Sequence, residues 1–112
     1  MIIKGIRLIN FRNYSSMSAS FGSGVNILVG KNAQGKTNLL EAIYMCSTGR
    51  SFRTLRDKEI ISFGKKEAYI GAELSIGELE KFTEIKLESD KPKRIRMNKV
   101  ELKSYKELNT GL

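Results

Sequence analysis

Eight consecutive residues, Gly30-Lys31-Asn32-Ala33-Gln34-Gly35-Lys36-Thr37, satisfy the pattern G-x-x-x-x-G-K-[ST], and this constrains the fold more than any other feature of the chain. Val25 to Val29, just before it, is a short apolar run ending in glycine, the form of a buried strand that delivers a loop to a sheet edge. Just after it, Leu39, Leu40, Ile43 and Tyr44 fall at helical spacing with Glu41 on the opposite side. The spacing predicts a helix over roughly Lys36 to Ser47, with Gly49 as its C-terminal stop. Strand, glycine loop and helix in this order are the setting the pattern requires. Its four specified positions would match by chance in roughly half a per cent of chains of this size.

Each residue type in the loop has a chemical reason. Glycines let the backbone turn tightly, so that successive N–H groups and the helix N-terminus present partial positive charge to phosphate oxygens. Lys36 supplies a cation for the β and γ phosphates, and the Thr37 hydroxyl is a hard oxygen suited to a magnesium ion bridging them. Asn38 opens the helix proper, where its amide is a candidate cap or inner-phosphate contact. The expected ligand is a nucleoside triphosphate, ATP with Mg2+, held by Gly30, Lys31, Asn32, Ala33, Gln34, Gly35, Lys36, Thr37 and Asn38.

The rest of the chain reads mainly as strand. Ile2, Ile6, Leu8 and Phe11 alternate loosely with Lys4, Arg7 and Asn10. Asn13 to Ser16 reads as a turn, Met17, Ala19 and Phe21 as a second strand, and Gly22-Ser23-Gly24 as a reversal. Beyond the helix a short helical turn is expected around Asp57 to Ile61, closed by Gly64. Ala68, Ile70, Ala72, Leu74 and Ile76 then share one strand face, and Thr83, Ile85 and Leu87 the next, with the turn at Gly77-Glu78. Lys93 to Met97 and Val100 to Leu102 form a last pair about Asn98-Lys99, and Ser104 is placed to cap a helical turn carrying Glu107. The expected fold is α/β: a nucleotide-binding lobe with a mixed sheet, strongly antiparallel in its second half, and one main helix.

Composition removes other chemistries. With no His and a single cysteine, Cys46, the chain has neither an internal disulfide, a Cys–His zinc site nor imidazole catalysis, and a reducing cytosol suits it. Cys46 itself is expected as a small buried apolar residue on the helix. Charges interrupt the N-terminal apolar residues within four positions, so neither a signal peptide nor a membrane span is expected there. Twenty Lys and Arg against twelve Asp and Glu leave +8, a field that attracts polyanions. Arg50, Arg53 and Arg56 recur every third residue around Phe52, and Lys91, Lys93, Arg94, Arg96 and Lys99 crowd the last hairpin. Each group is either a salt-sensitive DNA contact or a solvated basic face. Phe52 reads as packed against the fold.

Two stretches narrow the class. Ile6-Arg7-Leu8-Ile9-Asn10-Phe11-Arg12-Asn13-Tyr14 resembles the opening of the SMC-like, DNA-repair branch of ABC-type ATPases. The loop, its continuation Asn38-Leu39-Leu40-Glu41-Ala42-Ile43-Tyr44 and the later Ser47-Thr48-Gly49-Arg50-Ser51-Phe52-Arg53-Thr54 are similar to the RecF family of bacterial DNA replication and repair proteins. The resemblance is specific through the first half of the chain, while the hairpins after Glu67 agree in pattern more than in residues. It implies an ATP-dependent homodimer that binds double-stranded and gapped DNA and works with RecO and RecR to load recombinase at gaps. It also makes Arg12 a candidate nucleotide contact; from its position alone, Arg12 equally reads as a solvated turn arginine.

Such ATPases also need a helix-opening L-S-x-G-[QE] signature and an acidic strand, the Walker B motif. Leu74-Ser75-Ile76-Gly77-Glu78 has the letters of the signature, but Leu74 and Ile76 belong to the period-two run from Ala68, so a hairpin is expected there. No apolar run ends in Asp-Glu or Asp-Asp. Residues 1–112 are therefore expected to be the first lobe of an ATPase head, cut before both motifs, binding ATP with negligible turnover alone. Two other functions fit the loop: a small P-loop kinase, which would need a parallel sheet and an arginine lid, and a DNA-binding module whose loop is not catalytic.

Overall fold

The computed structural model describes residues 2–20, 33–104 and 108, excepting the side chains of residues 33–36. The expected strand Val25 to Val29, loop residues Gly30 to Asn32 and the turn carrying Glu107 lie outside the described residues. Among the described residues six strands form one sheet: β1 (Ile2–Phe11), β2 (Tyr14–Ser20), β3 (Glu67–Ile76), β4 (Leu79–Glu88), β5 (Lys91–Met97) and β6 (Val100–Glu101). Their order is β2-β1-β3-β4-β5-β6, and every described pairing is antiparallel. The helix α1 (Ala33–Thr48) and a short 3-10 turn at Asp57–Glu59 cover one face.

The turns follow from residue chemistry. Gly77-Glu78 closes β3 onto β4 with Ile76 opposite Leu79, and Gly77, at φ 61°, holds the position where a type II′ turn needs glycine. Asn98-Lys99 closes β5 onto β6 with both residues left-handed, at φ 50° and 72°, the type I′ pattern. Leu74 to Glu78 is thus the end of β3 and its turn, not the start of a helix. Pro92 lies inside β5 where the register against β4 slips between Lys86 and Glu88, a bulge that spares the ladder a missing N–H.

In β1 the buried positions do not alternate simply. A register shift between Ile3 and Gly5 puts Ile3 opposite Leu74 on the core side and leaves Ile2, expected inside, 56% exposed. Ile6 and Leu8 then face the core, and left-handed Asn10 (φ 53°) breaks the alternation again, so that Phe11 is fully buried. The following turn is tighter than Asn13 to Ser16: Phe11 pairs with Tyr14 across Arg12-Asn13, and β2 begins at Tyr14.

The helix is longer than expected and rotated. Its buried face is Asn38, Leu39, Glu41, Ala42, Met45 and Cys46, whereas Leu40 and Tyr44, expected inside, are largely exposed. Glu41, expected on the outer side, has no exposed surface. Gly49 ends the helix as anticipated, at φ 82° with its N–H on the Met45 carbonyl. Ala42, Met45 and Cys46 join Ala68, Ile70, Ala72, Ile85, Leu87 and Ile95 of the sheet in one core.

Candidate functional site

The phosphate-loop pattern continues into the first turn of α1, so Ala33, Gln34, Gly35 and Lys36 are helical, and Thr37 follows, half-buried. No acidic residue lies in that turn, so its N–H groups keep the partial positive charge that suits an anion. That is a fit to triphosphate. Among the described residues no cluster of three acidic, His or Cys groups could hold a metal, so a magnesium ion here would need the phosphate oxygens as ligands beside Thr37.

Two loops converge on this helix through one carboxylate. Glu41 receives Arg12 in bidentate fashion, Nε to Oε1 at 2.9 Å and Nη2 to Oε2 at 2.8 Å. Ser51 donates to Oε2 at 2.5 Å, and Arg53 reaches Oε1 at 3.3 Å. Burial alone would raise the Glu41 pKa, but the hydrogen bonds from Arg12 and Ser51 and the two guanidinium charges outweigh it, and the carboxyl is held below its usual range. It is therefore ionised at neutral pH.

Asn38, the residue after Thr37, is also buried, and both ends of its amide are used. Its Nδ2 donates to Asn13 Oδ1 at 2.8 Å and its Oδ1 accepts from Arg53 Nη1 at 2.7 Å. Arg12 occupies the first position of the β1–β2 turn in the left-handed region, at φ 52°, where glycine is the ordinary choice. This backbone costs about 1 kcal/mol or more in a residue with a side chain. It is held by Arg12 N–H to the Ile60 carbonyl at 2.7 Å, Ser62 Oγ to the Arg12 carbonyl at 2.7 Å, and Arg12 Nη1 to the Glu59 carbonyl at 2.9 Å.

Of the sequence-predicted residues, the structure brings Asn38, Arg12 and Arg53 into this one cluster. Arg50 and Arg56 lie outside it on the exposed segment beyond α1. Phe52 is half exposed and packs edge-on against Tyr44, centroids 5.2 Å apart. The last hairpin's cations each have an acidic neighbour: Lys91 with Glu88, Lys93 with Asp57, Arg94 with Glu101, and Arg96 and Lys99 with Glu84. Much of their charge is locally offset. Glu41, Asn13 and Ser51 were missed as site residues, although Asn38, Glu41, Ala42 and Met45 form an i, i+3, i+4, i+7 stripe that points Glu41 inward.

A strand hairpin, a glycine loop opening a helix and an antiparallel sheet laid on that helix define the nucleotide-binding lobe of a P-loop NTPase fold. The chain belongs to the AAA domain family, whose model matches residues 5–111. It is similar to the DNA replication and repair protein RecF of Clostridium novyi, 47% identical over 108 residues that cover 96% of this chain and 30% of that protein. A solved structure of the recombination mediator protein RecF-ATP, of the RecFOR pathway, superposes with a TM-score of 0.85 at 39% identity, over 96% of this chain and 30% of that one. The Smc head domain of Pyrococcus furiosus, at 22% identity, 95% of this chain, 31% of that chain and a TM-score of 0.76, shares the fold. The chain thus spans about a third of the length of the curated relatives it matches. No described helix is long and apolar enough to cross a membrane.

Proposed function

We propose that this chain is the ATP-binding first lobe of a RecF-like DNA replication and repair protein. The observation that carries this reading is the phosphate-loop helix with no acidic residue in its first turn, laid on a lobe that superposes on RecF-ATP. Gly30 to Thr37 would cradle the triphosphate, Lys36 would pair with its outer phosphates, and Thr37 would help hold Mg2+. Arg12, fixed at the mouth of the β1–β2 turn, is the added nucleotide contact. The chemistry that Mg2+ would supply there is neutralisation of phosphate charge.

The whole protein acts in the cytoplasm as an ATP-dependent homodimer on double-stranded and gapped DNA, with RecR and RecO as partners and recombinase loading as the outcome. Arg50 and Arg56, exposed beyond α1, are the candidate DNA contacts of this lobe, with Arg53 tied back to the helix. The signature and acidic motif of such an ATPase are absent from residues 1–112, so the lobe alone binds ATP with negligible turnover. Titration of labelled ATP and of duplex DNA against the wild type and Lys36→Ala tests this. Nucleotide binding that disappears in the variant is expected; binding unchanged in Lys36→Ala, or steady hydrolysis by the lobe that Lys36→Ala removes, would sink it.

A further inference from the structure

Building on the nucleotide reading above, we infer that Glu41 is a positioning residue: one buried carboxylate that fixes Arg12, from the β1–β2 turn, and Arg53, from the segment after α1, beside the start of the phosphate-loop helix. The geometry is that of a hub. Glu41 is completely buried, while the side chains of Arg12 and Arg53 keep 18% and 28% of their surface exposed. Neither arginine is saturated. A guanidinium has five N–H donors. Arg12 places two on Glu41 and one on the Glu59 carbonyl, leaving two. Arg53 commits only Nη1, shared between Asn38 and Glu41, so most of its fork has no acceptor among the described residues.

Both cations are thus tethered yet retain donors for an anionic oxygen. Asn38, directly after the Thr37 hydroxyl, is bracketed by Asn13 on one side and Arg53 on the other. The two flanking loops and the helix start are therefore one hydrogen-bonded unit, whose orientation Glu41 sets. At Arg12 charge alone would not need arginine: a lysine is a point cation and cannot lay two parallel N–H donors on a carboxylate while a third reaches the Glu59 carbonyl. Glu41 acts on the nucleotide through the arginines and does not touch it.

A double-mutant cycle on ATP affinity in the full chain tests the role, with Arg12→Lys, Glu41→Gln, the pair, and Lys36→Ala as the control for the phosphate loop. Glu41→Gln and Arg12→Lys are each expected to weaken ATP about tenfold, the scale on which an orienting partner acts, and the pair to be no worse than its worse member. The Arg12 Nε–H resonance should shift on adding ATP to the wild type and stay still in Glu41→Gln. If Glu41→Gln does not fold, Arg12→Lys, which keeps the charge and loses the fork, carries the same comparison with Arg53→Lys. Wild-type affinity in these variants, with binding abolished by Lys36→Ala, overturns the positioning role and leaves the nucleotide reading intact; additive losses overturn it as well. A wild-type chain that does not bind ATP overturns the nucleotide reading first and this inference with it.

Discussion

The hydroxyl of Tyr69 donates to Glu84 Oε2 at 2.7 Å, and its ring lies so close over Gly71 that a Cβ at that glycine would stand 2.6 Å from the hydroxyl oxygen. The two residues share the open face of the sheet, where Glu84, only 6% exposed, is also ion-paired with Arg96 at 3.1 Å. Gly71→Ala should displace the Tyr69 ring, break its bond to Glu84 and destabilise the lobe by about 2 kcal/mol. A denaturation midpoint equal to that of the wild type would show that the ring swings aside at no cost.

Glu41 links stability to acid. Its folded pKa is depressed, so its contribution is fully present above the unfolded carboxyl value of about 4.3 and is lost as pH falls through the lower folded value. Below about pH 4.3 the wild type should therefore lose stability more steeply than Glu41→Gln. At pH 7 the variant, with two arginines left beside a neutral amide, should be about 3 kcal/mol less stable. Parallel urea midpoints from pH 6 to pH 3 would contradict this.

Cys46 should be chemically quiet. Burial pushes its thiol up to about 12, and its Sγ lies against the Thr83 carbonyl at 4.0 Å beneath the helix. A thiol reagent at pH 8 should label it slowly in native protein and promptly in denaturant. Equal labelling rates would mean that α1 lifts from the sheet readily.

Asn98 carries two duties in the last hairpin. It takes the left-handed position and accepts the Phe82 N–H on its Oδ1 at 2.8 Å. Asn98→Ala should cost about 1–2 kcal/mol, from one hydrogen bond and one left-handed alanine, whereas Asn98→Gly should cost less by sparing the backbone term. If both variants melt alike, the hydrogen bond alone matters.

Much of this lobe was legible because its signals are local. The tight turns at Gly77-Glu78 and Asn98-Lys99 are written in turn-forming residues, and the period-two runs beside them lead to the right hairpins, although β5 starts at Lys91, two residues before the expected Lys93. β1 was legible in extent but not in facing, because the shift near Lys4 and the left-handed Asn10 are decided by the partners β3 and Ile61, which lie far away in sequence. The helix was rotated for the same kind of reason. Leu40 and Tyr44 look like core by composition, yet Glu41 takes the inward place because Arg12, Ser51 and Arg53 arrive from other segments to neutralise and bond it. Sequence singled out Arg12 and Arg53 by residue type and spacing, but the carboxylate joining them is a tertiary fact.

The sheet order has one further consequence, for the newborn chain. β3 to β6 are joined by adjacent two-residue turns and can zip as neighbours, each strand meeting the next as soon as it is made. β1 has no such neighbour on its inner side. Ile2 must wait for Ser75 and Ile9 for Tyr69, so β1 stays half-paired, its edge toward β3 open, until some sixty later residues have been synthesised. The whole phosphate-loop helix is made during that wait, and it finds its floor only when β3 closes the sheet beneath it.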